Sequence, residues 1–207
     1  MNFKQLCSDA IKEAAPSKAL RMQELLGQDY HFLGLDAAAR RRVFAPYLKE
    51  IGEEGEIDWE FIDSCWEQNI REFQYFGLSY LLAVRDKLQK EDLPKLRSLM
   101  ITRPHWDTAN IFQKLLNYLS AKSPEFGSVY LEWAGDMDEP WLQRVVLLHQ
   151  MGRGVYTDLE LQENIMKACQ DSEEPCVRSA LKKSQTMLRK LEPASGDRGL
   201  SSGNERP

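Results

Sequence analysis

The chain has 207 residues, enough for one sizeable domain with a buried core, and its 43% apolar and 29% charged content is ordinary globular composition. A formal net charge of −5 excludes a protein coated all over in positive charge, but leaves room for one basic face on an acidic body. No apolar run approaches the ~20 residues that span a bilayer, so no membrane partner is expected.

The N-terminal stretch "MNFKQLCSDAIKEAAPSK" carries acids early and places Phe3, Leu6, Ala10 and Ile11 at helical spacing. It reads as an amphipathic helix rather than a secretory signal, and the simplest location is the cytoplasm. "DAAARRRVFAPYLKE" has Asp36 as N-cap, helix-forming alanines behind it, and Pro46, which is expected to kink or end the helix early. "EGEIDWEFIDSCWEQ" has Asp58 as cap and Trp59, Ile62 and Trp66 on one face. "IREFQYFGLSYLLAVRDKL" puts Phe73, Phe76, Leu78, Tyr80 and Leu81 on a broad apolar face, and "EDLPKLRSLMI" holds Pro94 in its first turn, where proline is tolerated.

Helical segments follow at "DTANIFQKLLNYLSAK", "SPEFGSVYLEWAG" and "DEPWLQRVVLLHQMG". Next comes "TDLELQENIMKACQD", where Thr157 and Glu160 have capping-box spacing, and last "SEEPCVRSALKKSQTMLRKLE". "VVLL" is partly β-branched but lies inside a helix-period segment, so no strand is expected. About ten helices in antiparallel pairs of roughly 35 to 40 residues predict an all-α, curved α-solenoid of HEAT-like pairs over residues 1–192. A compact irregular helical domain is the alternative. The tail 193–207, rich in Gly, Ser and Pro, is expected to be disordered.

Cys7, Cys65, Cys169 and Cys176 form no C-x-x-C pair, and His31, His105 and His149 are scattered, so reduced cysteines and no metal site are expected. Trp59, Trp66, Trp133, Trp141, Tyr75 and Tyr80 sit among apolar residues at helical spacing and read as core. The basic runs at Arg40–Arg41–Arg42, Arg178–Lys182–Lys183 and Arg189–Lys190 read either as solvated faces or, if they converge, as phosphate contacts.

Four stretches in order resemble a known family: "YHFLGLDAAARRRVF", "REFQYFGLSYL", "HWDTANIF" and "WLQRVVLLHQMGRGVYTDLEL". Together they are similar to the AlkD-type DNA alkylation-repair glycosylases, which are built from HEAT-like repeats. The resemblance implies a monomer without cofactor or metal that holds duplex DNA on a concave basic face and releases N3- and N7-alkylated purines. In such a site a carboxylate stabilises the oxocarbenium-like transition state, aromatic side chains line the cleft, and an arginine contacts the backbone.

Carried over residue by residue, Trp106 matches the tryptophan of the family's W-D-x-x-D element, Asp107 its first carboxylate and Arg144 the backbone-contacting arginine. The position of the second, catalytic carboxylate holds Asn110. On the last helix Lys183 stands where a tryptophan belongs and Thr186 where an arginine belongs. Leu25 takes the place of a tyrosine, and Asp36 that of a neutral polar residue. The resemblance thus implies a scaffold retained and a site changed.

From the residues alone, Asp107 reads as the N-cap of its helix, with a substitute catalytic carboxylate as the alternative. His105, outside that cap, reads as a surface or turn residue. Arg144 reads from the residues as a surface ion pair with the "DMDE" turn, while the resemblance implies a phosphate contact, and Arg42 and Lys183 are further candidates for DNA contact. Three functions follow: duplex DNA binding with weakened or absent excision, an active alkylpurine glycosylase using Asp107, or a protein-binding helical scaffold.

Overall fold

Capping residues and apolar stripes set the helices. In the computed structural model, which describes residues 1–27, 29–51 and 56–191, eleven α-helices occur among the described residues, one more than the periodicity gives. They are α1 (Phe3–Lys12), α2 (Pro16–Leu26), α3 (Ala37–Lys49), α4 (Trp59–Glu67), α5 (Arg71–Ala83), α6 (Leu93–Ile101), α7 (Trp106–Lys122), α8 (Glu125–Ala134), α9 (Pro140–Leu148), α10 (Leu159–Cys169) and α11 (Pro175–Leu191). No strand occurs among the described residues; His31 and Ile70 form an isolated bridge. The tail at 193–207 lies outside the described residues.

Asp36 caps α3 by accepting from Ala38 N and Ala39 N, and Asp58 caps α4 by accepting from Phe61 N. Pro46 does not end α3 early: the helix runs three residues further, to Lys49, because its apolar residues Val43, Phe44 and Tyr47 are held by burial. The cap of α10 is Asp158, whose carboxylate accepts from Leu161 N; the Thr157 hydroxyl instead turns back to the Gly154 carbonyl at 2.8 Å. In α1, Leu6 and Ala10 are buried but Ile11 is exposed, one position off the buried stripe.

Packing sorts the helices into two layers. α3, α5, α7, α9 and α11 stack in succession, each on the next. α1 packs on α3 and α4, α4 on α5, α6 on α7 and α9, α8 on α7, α9 and α10, and α10 on α9 and α11. This is the all-α stack of helix pairs that the sequence predicts. α9 is surrounded by α6, α7, α8, α10 and α11, which is why Val145, Val146, Leu147 and Leu148 are all buried and its sequence shows no polar face. One apolar core runs the length of the stack, from Phe44, Phe61, Phe73 and Phe76 to Phe126, Tyr130 and Trp133. No helix of the described residues is long and apolar enough to cross a membrane.

Two of the motifs that stand apart in sequence meet here. The buried carboxylate of Glu72 accepts from the backbone N–H groups of Leu33 (3.1 Å), Gly34 (2.9 Å) and Leu35 (3.1 Å), tying "FLGL" to the start of α5. Gly34 has φ +84°, and a Cβ there would lie 2.1 Å from the Ala15 carbonyl oxygen, so only glycine lets this segment pass under α2.

Candidate nucleic-acid interface

The element "HWDTAN" opens α7, but its capping differs from the expectation. The N-cap is His105, with no side-chain cap bond, and Asp107 lies inside the first turn. Its carboxylate is engaged elsewhere. One oxygen accepts from Arg71 Nε (3.1 Å) and from the Tyr75 hydroxyl; the other accepts from Arg71 Nη2 and from Thr108 N (2.7 Å). A carboxylate has about four lone-pair sites, and all four are taken.

Arg71 is equally committed. Its side chain is 1% exposed, and its remaining N–H groups reach Gln74, the Arg103 carbonyl (3.0 Å) and Thr108 Oγ (3.1 Å). The Tyr30 ring lies over the guanidinium at 4.7 Å. Burial by itself would raise the pKa of Asp107, but the Arg71 and Tyr75 donors outweigh it and hold the carboxyl below its ordinary value. Burial and the Asp107 charge push the Tyr75 hydroxyl up.

His105 packs among Tyr30, Trp106 and Trp141, with ring centroids 5.4, 5.5 and 6.0 Å away. It is therefore part of an aromatic cluster and not a free turn residue. Its Nδ1 is 3.3 Å from the Asp107 carboxylate but lacks hydrogen-bond alignment and is buried without a partner. Burial lowers the pKa of this imidazole, and Asp107 only partly offsets the effect.

Asn110, one turn beyond Trp106, accepts from Arg144 Nη2 at 3.2 Å. Arg144 is 8% exposed, so the surface ion pair with the turn before α9 is not formed; α9 directs the side chain inward against α7. The guanidinium, 6.0 Å from the Trp141 ring, thus meets an amide where a carboxylate would neutralise it.

Around this element runs a row of grooves. The first, about 600 Å³, is lined by Arg40, Arg41, Phe44, Leu48, Tyr75, Trp106, Asp107 and Ile111. Tyr75 is thus a cleft residue and not core, with Arg40 stacked on its ring at 4.5 Å; Trp106 is 49% exposed. The second, about 620 Å³, lies further along the same side of α7 and is lined by Gln113, Lys114, Asn117, Ala121, Met151, Gly152, Arg153 and Tyr156. The third, about 510 Å³, shares Met151 and Gly152 with the second and adds Lys182, Lys183, Thr186, Met187 and Lys190 of α11.

Lys183 therefore lies on this face, with Thr186, as the helix register of α11 requires. Arg42 does not: it pairs with Glu13 at 2.9 Å and lines a separate groove with Asp9, Glu13 and Glu50, because its neighbours Arg40 and Arg41 take the cleft side of α3. Leu25 is exposed on α2, and Asp36 is paired with Lys18 at 2.6 Å. Arg71 and Tyr30 were the site residues that sequence reasoning passed over as candidates, whereas Arg40 and Arg41 belong to a basic run already read as possible phosphate contacts. The signal for Arg71 was its place directly before Glu72 in "REFQYF", a stretch whose two charges open an otherwise apolar helix.

Four free thiols are present, and among the described residues no group of three His, Cys, Asp or Glu side chains could hold a metal ion. The grooves and the stack together define a two-layer helical protein with arginine, lysine and aromatic side chains lining three grooves. A model of the DNA alkylation repair enzyme family matches residues 9–191, and the chain belongs to that family. Among solved structures it resembles one from Enterococcus faecalis described as a predicted DNA alkylation repair enzyme. The TM-score is 0.78 at 19% identity, over 87% of this chain and 85% of that one, which is a likeness of fold. No curated protein matches.

Proposed function

We propose that the protein binds duplex DNA, alkylated DNA included, along the three grooves and that excision of alkylated purines is weakened or absent. The observation that carries the reading is charge segregation. Among the described residues Arg40, Arg41, Lys114, Arg153, Lys182, Lys183 and Lys190 line the grooves, against Asp107 alone, in a chain of net charge −5. Acids outnumber bases in the grooves elsewhere, with Asp9, Glu13 and Glu50 against Lys12 and Arg42 in one and Glu50, Glu56 and Asp58 against Lys87 in another. Phosphates are the ligand such a face fits. Arg144 meets the Asn110 amide rather than a carboxylate, which supports its role as a partner for a backbone phosphate.

The argument about excision rests on carboxylates. Asn110 cannot carry the negative charge that stabilises an oxocarbenium-like transition state, and loss of one such contact typically costs about 10²–10³ in rate. Asp107 has charge, but it is neutralised by Arg71 and its lone pairs are occupied. The reading takes residues 1–192 as one domain acting as a cytoplasmic monomer without metal or cofactor.

Two measurements test it. Anisotropy titration of a labelled duplex at rising salt should show affinity falling steeply, with a log–log slope of roughly −4 to −6 if five or six phosphates are neutralised. Release of methylated purines from alkylated duplex should stay near the protein-free blank. Brisk release that depends on Asp107 would instead make this an active glycosylase. Failure to bind duplex even at low salt would leave the protein-binding scaffold.

A further inference from the structure

The connection between α9 and α10 carries a feature that the DNA-binding reading does not use. Val155 is 89% exposed and Tyr156 81% exposed, side by side on a short 3-10 turn. Two large apolar side chains in solvent are unusual for a rigid segment, and this segment is rigid by its bonding. The side chain of Gln150, fully buried, ties the start of the connection to its end: its Oε1 accepts from Asp158 N at 2.7 Å and its Nε2 donates to the Asp158 carbonyl at 2.9 Å. Arg153 is fixed to Ser120 Oγ at 3.0 Å, tying the turn to α7. Gly152 and Gly154, with φ +87° and +56°, supply the left-handed backbone that lifts the turn outward.

The turn stands in the middle of the basic face. Tyr156 lines the groove that holds Lys114 and Arg153, and the next groove, with Lys182 and Lys183, begins at Gly152 on the same connection. An exposed aromatic ring inside a basic groove is the arrangement that stacks on nucleobases, and an aliphatic neighbour is the arrangement that wedges between base steps. A stacked base in intact duplex offers no free face, so the ring has a partner only where the stack is broken.

Resting on the DNA-binding reading, we infer that Val155–Tyr156 is a preorganised wedge that stacks on an unpaired or unstacked nucleobase of the bound DNA. The position separates it from Trp106. Trp106 and Asn117, which lines the groove of Tyr156, are eleven positions apart on α7, a rise of about 16 Å. The wedge therefore meets the DNA about five base steps from the nucleotide beside Trp106 and gives preference for distorted duplex without touching the motif that departs from the family.

The test compares an intact duplex with the same duplex carrying one bulged 2-aminopurine, by anisotropy and by quenching of that base. Wild type should bind the bulged duplex about tenfold more tightly, at the lower end of what one aromatic–base stack supplies, and should quench its fluorescence. Tyr156→Ala should bring the ratio close to one and abolish quenching, while Tyr156→Phe should keep both. Exposure of the ring means that neither change disturbs packing, and an unaltered melting curve verifies it. Equal binding of both duplexes by wild type, or a preference that survives Tyr156→Ala, would overturn the wedge and leave DNA binding standing. No binding to either duplex would overturn the underlying reading and the wedge with it.

Discussion

Asp107→Asn separates a structural counterion from a catalytic acid. The Arg71–Asp107 pair is buried, with side chains 1% and 10% exposed, and its five guanidinium N–H groups and four carboxylate acceptor sites are all used. Removing one member of such a pair strands the other charge and costs about 3–5 kcal/mol. Asparagine keeps one acceptor oxygen, so the lower end applies, about 3 kcal/mol. For a domain of this size that is a fall in Tm of about 6–12 °C.

Urea unfolding followed by tryptophan fluorescence, at neutral pH and again under acid, is the assay. Because the Asp107 carboxyl is depressed in the fold, its contribution is complete above the ordinary unfolded value of 3.8 and is lost as pH falls through the lowered folded one. The gap between wild type and variant should therefore be full at neutral pH and shrink below about pH 4. A variant within 1 kcal/mol of wild type at neutral pH, about the scale of an ordinary surface change, would refute the counterion role.

Two further substitutions probe the frame and the site. Gly34→Ala should destabilise by about 3 kcal/mol or more, because an L side chain must adopt φ +84° and its Cβ would meet the Ala15 carbonyl; a normal unfolding midpoint would contradict that close approach. Asn110→Asp places a carboxylate 3.2 Å from Arg144, where the excision argument lacks one, and release of methylated purines should rise by about 10²–10³. Release unchanged in a folded Asn110→Asp protein would show that this position is not what limits excision.

Helix existence, the apolar faces of α4 and α5 and the caps Asp36 and Asp58 were legible in the sequence, because periodicity and capping are local properties of a few neighbouring residues. Asn110 and Lys183 stand out only through the family resemblance, which needs no more than residue identity within an ordered motif. Tertiary structure decided the rest. Asp107 reads locally as a cap; only the arrival of Arg71 and Tyr75 from α5 makes it a buried counterion. Three consecutive arginines look equivalent in sequence, yet helix rotation gives Arg40 and Arg41 to the cleft and Arg42 to Glu13. Tyr75 passes for core until its ring is found under Arg40. Glu72 and "FLGL" are bound together across nearly forty residues by three backbone N–H groups, and no local pattern announces a partner that distant. A sequence fixes what each segment can do alone; which charges meet, and which remain free for a ligand, depends on how the helices stack.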